Sequence, residues 1–239
     1  MRQKMNSSAL ILGLSLIIGL GTLGYFIQKM ALSYRSFERV VTVKGLAEKE
    51  FLADTVVWPI QFSVAGNDLS KLISTLEEQS QAVSAFLTLK GVEKESISFS
   101  SPSVIDKKAQ QYVSDSPVEF RYLASQTVTV YSHQVEVIRS AISKLGSLGK
   151  QGIVLNQDMY GNPIEYSFNA LNEIKPAMVE EATKNARDVA QKFARDSQSS
   201  LGKIQRASQG QFTISNRDSN TPYIKKVRVV STVSYYLND

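Results

Sequence analysis

Thr55-Val56-Val57-Trp58-Pro59-Ile60-Gln61-Phe62-Ser63-Val64 is the stretch that decides the fold class. Val56, Trp58, Ile60, Phe62 and Val64 occupy every second position, the repeat of a strand with one buried and one solvated face. An extended segment from about Asp54 follows, with Trp58 and Phe62 in the core. Pro59 falls on the opposite face, and because it has no ladder donor it predicts a sheet edge or a bulge.

Working outward, Val40, Val41 and Val43 open a shorter strand that ends near Gly45. On the other side, Asn67 or Asp68 can cap a helix with Leu69, Leu72, Ile73, Leu76, Val83, Phe86 and Leu87 at helical spacing, stopped by Gly91. Ile97, Phe99 and Ile105 suggest another strand, and 106–117 a polar loop. Val118, Phe120, Tyr122, Ala124, Val128 and Val130 alternate through a long strand. Ser132 can cap a helix carrying Val135, Ile138, Ala141, Ile142 and Leu145 before Gly146.

Two short strands are expected at 152–155 and 164–170, separated by the turn-like Tyr160-Gly161-Asn162-Pro163. A helix from about Glu173 to Ser199 would bury Met178, Ala182, Ala186, Val189 and Phe193. Pro176 is compatible only with its first turn, and Gly202 would end it. A strand near Ile204, a loop at 216–222 and a closing strand through Val227, Val229, Val233, Tyr235 and Leu237 complete the chain. The fold class is α+β, with three helices packed on mainly antiparallel sheet. The stretches from Val40 and from Val118 share a β-β-α-β form that suggests an internal duplication.

Ahead of this domain, 9–27 reads ALILGLSLIIGLGTLGYFI, nineteen residues without a charge. As a helix it spans about 28 Å, close to a bilayer's hydrocarbon thickness. The expected organisation is a short tail at 1–8, a transmembrane anchor at 9–27, a linker at 28–39 and one domain at 40–239. A cleavable signal peptide ending near Ala31-Leu32-Ser33 competes, but the apolar run exceeds the usual h-region and Lys29 intervenes. Arg2 and Lys4 on one side face Lys29, Arg35 and Arg39 on the other, so charge alone leaves orientation nearly balanced; the short tail favours N-in with the domain exported. Gly19-Leu20-Gly21-Thr22-Leu23-Gly24 fits a dinucleotide fingerprint but lies inside the apolar run, where glycine serves close helix packing instead.

The chain has 27 basic and 22 acidic residues, and setting aside Arg2 and Lys4 leaves 25 against 22. That balance, with a single tight basic cluster at Lys225, Lys226 and Arg228, argues against nucleic acid as a partner; the cluster reads as a solvated face or a protected edge. Cysteine is absent, which removes disulfides, thiolate nucleophiles and Cys-based metal sites.

Val43-Lys44-Gly45-Leu46-Ala47-Glu48-Lys49-Glu50, then Ala53-Asp54 and Trp58-Pro59, resembles the opening of SIMPL-domain proteins. Phe120-Arg121-Tyr122 running into Thr127-Val128-Thr129-Val130 is similar to a second family segment. The Ala-rich helix through Ala177, Ala182, Ala186, Ala190 and Ala194, ending in Leu201-Gly202-Lys203-Ile204, is similar to a third. One departure is Ala53-Asp54, where many members have Pro-Asp. The resemblance implies an exported bacterial envelope protein, periplasmic or facing the periplasm, with an α+β fold and a tendency of some members to form large oligomers. Joined to the apolar segment at 9–27, the resemblance makes the expectation a single-pass protein of the bacterial inner membrane with its C-terminal domain in the periplasm, forming a homo-oligomer. It implies roles in envelope integrity or stress response, unidentified envelope partners, and no established catalytic residue.

No catalytic, cofactor-binding or metal-binding residue is assigned from the sequence. His133 is the single histidine, which leaves zinc without a usual ligand set. Glu48, Lys49, Glu50 and Asp54 form a dense charged group; read blandly they are a solvated turn, and read chemically a carboxylate pair for acid and base work in a hydrolase. Among the usual signatures, neither a G-x-S-x-G elbow nor a Walker A loop occurs. A non-enzymatic assembly or binding module, using the bilayer through 9–27 and its own surfaces, is the expectation.

Overall fold

A computed structural model describes residues 7–36, 39–109, 119–156 and 163–238. Helix α1 (Ser7–Ser36) contains the apolar segment Ile11–Met30, none of which is buried. Two hydroxyls within the segment bond to their own helix: Ser15 Oγ donates to Leu12 O at 3.0 Å, and Thr22 Oγ1 to Ile18 O and Gly19 O at 3.0 and 2.9 Å. Such internal satisfaction is what a helix in hydrocarbon requires. Gly19 to Gly24 are continuous helix, not a strand-to-helix turn. The helix also runs through most of the expected 28–39 linker, because Gln28 to Ser36 contains neither glycine nor proline to stop it. Arg2 and Lys4 lie outside the described residues.

The chain divides into two compact units. One comprises residues 49–174 and 214–227, and the other takes in 175–213 and 228–239 together with the chain up to Glu48. The elements in order are β1 (Val40–Leu52), β2 (Thr55–Gly66), α2 (Leu69–Leu89), β3 (Ile97–Phe99), β4 (Ser103–Asp106) and β5 (Tyr122–Ser132). After them come α3 (Val135–Ser143), the single turn α4 (Gly146–Gly149), β6 (Val154–Asn156), β7 (Glu165–Ser167) and α5 (Leu171–Asp196). The chain closes with β8 (Ser200–Gln209), β9 (Thr213–Asn216) and β10 (Ile224–Asn238).

In the first unit, β2 pairs antiparallel with β5 along its whole length, from Val56 opposite Ser132 to Gly66 opposite Tyr122. Val56, Trp58, Ile60 and Phe62 are buried, as the alternation predicts, and pack with Leu72, Leu76, Val83 and Leu87 of α2 and Ile138 of α3. Asp68 caps α2, its Oδ1 accepting from Lys71 N at 3.1 Å, and Gly91 takes a φ of 90° just after it. Pro59 lies in neither an edge strand nor a bulge. The second side of β2 holds β7 at 55–57 and β6 at 61–63, and Pro59 sits in the gap between these short strands.

Ile97, Phe99 and Ile105 do not share one strand. Pro102 separates β3 from β4, which both pair with β5, and Phe99 and Ile105 are 51% and 41% exposed. Phe120 precedes β5 and is exposed. Val118, 110–117 and 160–162 lie outside the described residues. Ser132 does not cap α3: its Oγ accepts from Gln134 N at 3.0 Å, but Gln134 is the N-cap and has no side-chain cap bond, and Gly146 begins α4 instead of ending the helix. The order from Tyr122 itself is β-α-α-β-β, and among the described residues a second run of two strands, helix and strand begins at β4 instead, as β4-β5-α3-α4-β6.

In the second unit the order β1-β10-β8 puts β10 between two neighbours. Strand β1 extends beyond Gly45 to Leu52. Helix α5 buries Met178, Ala182, Ala186, Ala190 and Ala194, whereas the expected Val189 and Phe193 are 37% and 56% exposed. The reason is backbone proximity: a Cβ on Gly45 would lie 1.8 Å from Ala182 O and 2.4 Å from Ala186 N. Only small side chains fit so narrow a gap, so alanine displaces the more apolar residues from the buried stripe. Asn185 Nδ2 adds a bond to Leu46 O at 2.8 Å.

Pro176 is the sixth residue of α5, beyond the first turn, where its ring forfeits a helical hydrogen bond. The helix stops at Asp196, with Gln198 at a φ of 55°, and Gly202 belongs to β8 instead of the helix end. Lys225 is not on a solvated edge. It is buried in β10, Nζ bonded to Asn216 Oδ1, and burial lowers its pKa.

Gly45→Ala is expected to destabilise the protein by about 3 kcal/mol, the upper end of overpacking costs. Chemical unfolding checks this: a midpoint equal to wild type would show that β1 does not press on the α5 backbone.

Candidate functional site

The charged group of the family-like motif divides into separate roles. Glu48, Lys49 and Glu50 are exposed residues of β1, not of a turn, because the strand continues to Leu52. Glu50 meets Arg217 Nη1 at 3.4 Å, and Arg217 also donates to Asp218 Oδ2 at 3.0 Å and to Thr221 Oγ1 at 2.9 Å. Asp218 in turn accepts from Asn220 N and Thr221 N at 2.8 and 2.7 Å, which orders the loop between Asn216 and Pro222. Bonds from the Thr221 hydroxyl and Arg217 hold the Asp218 carboxyl far below its usual range.

Asp54 occupies the tight connection between β1 and β2, and its carboxylate meets the start of α5. Oδ2 accepts from Asn169 N at 2.6 Å and Ala170 N at 2.8 Å; Oδ1 accepts from Thr55 Oγ1 at 2.8 Å and Asn169 Nδ2 at 3.2 Å. It therefore does the work of an N-cap from a residue remote in sequence, satisfying amides just ahead of Leu171 with a negative charge at a helix N-terminus. Burial pushes this carboxyl up, but the bonds from Ala170, Thr55 and Asn169 outweigh it and hold its pKa below the usual 3.8. Ala53 N donates to Tyr223 O at 2.8 Å, a bond that a proline at this position could not make.

His133 lies before α3, not in its first turn, with Nδ1 3.1 Å from Thr55 Oγ1 and 3.2 Å from Asp54 O. This brings an aspartate, a threonine and a histidine together, but with the wrong polarity for nucleophile activation. The Thr55 hydroxyl gives its proton to Asp54, and His133 Nδ1 also faces the Asp54 carbonyl, which can only accept, so a proton on Nδ1 suits both contacts. A base must accept the nucleophile's proton, and Thr55 is only 2% exposed. Among the described residues, no cluster of three His, Asp or Glu side chains is arranged to hold a metal.

A different set forms a cleft that sequence spacing did not reveal. Arg139 of α3 stacks on the Tyr223 ring, its guanidinium carbon 3.5 Å from the centroid, while Nη1 contacts both Glu136 oxygens at 2.8 and 3.0 Å. Tyr166 meets Tyr223 edge-on at 6.1 Å, and burial raises the Tyr166 pKa, keeping its hydroxyl protonated. With Pro222 and Ile142 these residues line a cavity of about 420 Å³. A flat cation against aromatic walls can hold a planar or anionic group. These residues come from α3, β7 and the loop before β10, and only folding brings them together.

Asp54→Ala is expected to cost about 1–2 kcal/mol, the range for loss of an N-cap. Because the folded-state pKa is lowered, the wild-type advantage is complete above the unfolded value near 3.8 and is lost as pH falls through the folded value. Unfolding of wild type and Asp54→Asn between neutral and strongly acid pH checks this; parallel stability curves would contradict it.

No curated protein matches the sequence. Family comparison does: the family described as SIMPL, proteins of unknown function (DUF541), matches residues 41–234, which takes in β1 through most of β10. That match extends over most of the 239 residues and includes Gly45, Asp54 and the alanines of α5, so the chain belongs to the SIMPL family.

Proposed function

We propose that this SIMPL protein is a single-pass inner-membrane protein that holds its family domain in the periplasm and acts by binding or assembly in envelope integrity or stress response. The observation that carries this reading is the 20-residue segment Ile11–Met30, wholly unburied, with mean hydropathy 1.8, shortly ahead of the matched residues. An apolar surface of that size is costly in water and stable in lipid. A retained helix is an anchor, and a cleaved one would release the domain.

The binding reading is supported by how the best chemical candidates are used. Asp54 is committed to the backbone amides just ahead of α5, and Thr55 is buried with its proton directed to Asp54. The available surfaces include the cleft beside Arg139 and the edge formed by β3 and β4, where Phe99, Val104 and Ile105 are each at least 40% exposed. Exposed strand edges invite pairing, and a symmetric contact would limit it to a closed homo-oligomer.

A reporter fused after Asp239 should be active only if it works outside the cytoplasm, and the fusion should stay with membranes after alkaline washing. Activity of a cytoplasm-only reporter would overturn the orientation, and release by the wash would replace anchor with signal peptide. Light scattering on the 39–239 fragment should show a defined oligomer that Ile105→Asp weakens. A monomer mass at every concentration would remove assembly from the proposal.

A further inference from the structure

Tyr235 is 1% exposed, yet its hydroxyl oxygen is buried without a hydrogen-bond partner. Native interiors rarely leave such a group unpaired, because desolvating it without compensation is costly. The ring packs among Val43, Ala186, Ala190 and Val233, so its apolar part is well placed and only the hydroxyl is in deficit.

The surroundings of Tyr235 are irregular in a specific way. On β10, Ser234 faces Arg206, Tyr235 faces Ile204 and Leu237 faces Leu201, so β8 carries an extra residue on each side of the tyrosine. One is at Gln205 and the other at Gly202-Lys203. Bulges re-aim side chains and concentrate next to functional sites. Gly202 is fixed by its position, since a Cβ there would lie 2.9 Å from Tyr236 O.

These bulges open a cavity of about 450 Å³ between α5, β8 and β10, with Tyr235 in its wall. Arg187 and Gln191 contribute from α5 and Lys203 from the bulge. Arg187 and Lys203 are exposed and have no ion-pair partner among the described residues. The walls hold no carboxylate; Glu180 and Asp188 share a different hollow with Arg187.

We infer that the crevice formed by Arg187, Gln191, Lys203 and Tyr235 is a binding site for a phosphate group. A guanidinium fork and an ammonium supply charge from two different elements, the Gln191 amide a neutral donor, and the Tyr235 hydroxyl a buried donor. Such a spread of directions suits a tetrahedral oxyanion with several acceptor oxygens. The phosphate can belong to a soluble ion or to the headgroup of an anionic lipid, and the chemistry of recognition is shared.

Titration calorimetry on the full chain in a neutral detergent at low salt tests this with two probes, inorganic phosphate and dihexanoyl phosphatidic acid. Saturable binding is expected. Tyr235→Phe, which keeps the ring, should weaken it about tenfold or more, the scale of a hydrogen bond to a charged group. Arg187→Gln at an exposed position should weaken it likewise and serves as the deciding variant if Tyr235→Phe unfolds. Binding of both probes identifies a general phosphate site, and binding of the lipid probe alone identifies a headgroup site. Absence of saturable binding by either probe, or equal affinity in wild type and the folded variants, would overturn the inference and leave the hydroxyl to a buried water.

Discussion

The unit built on β1, β10, β8 and α5 depends on one approach distance, that of the β1 backbone at Gly45 to the α5 backbone at Ala182 and Ala186. At Gly45 itself no side chain fits between strand and helix, and beside it only small ones do. Gly45 and the buried Ala47 on the strand, and Ala182, Ala186, Ala190 and Ala194 on the helix, are the residues such contact permits. The G-x-A-E segment of the family and its alanine-rich helix are therefore two halves of one packing solution. Their order in the chain, separated by more than a hundred residues, hides that they touch.

The unit built on β2 and β5 has a different constraint. Its core comes from the alternating face of β2, while Asp54 at the head of that strand bonds the amides of Asn169 and Ala170. The acidic residue of the family motif is thus accounted for by helix capping, with four donors around one carboxylate. A carboxylate so engaged stays ionised and fixed. General acid catalysis asks for the reverse, a carboxyl whose charged form is destabilised so that it holds a proton near neutral pH.

The strand alternation of Val56 to Phe62 and the Asp68 cap of α2 were legible because both signals are local and repeat at the period of their element. The apolar N-terminal helix was legible for the same reason, though its end was not, since nothing between Gln28 and Ser36 breaks a helix. The buried stripe of α5 was misread because hydrophobicity ranks Val189 and Phe193 above alanine, whereas the packing selects for small size. Lys225 was misread because a lysine between Ile224 and Lys226 at the start of a strand resembles edge protection until β10 proves to have neighbours on both sides. The Arg139–Tyr223 stack and the Tyr235 crevice left no sequence signal, because each joins elements distant along the chain and the second depends on bulges that no residue pattern announces.

The capping role of the Asp54 carboxylate toward Asn169 and Ala170 stands against a role as general acid. It is tested most directly by following the Asp54 carboxyl carbon through an NMR pH titration of the folded protein. The account predicts a midpoint below the ordinary 3.8, set by the bonds from Ala170, Asn169 and Thr55. A midpoint raised to about 6, the range of a catalytic general acid, would contradict it and return Asp54 to the centre of an enzyme.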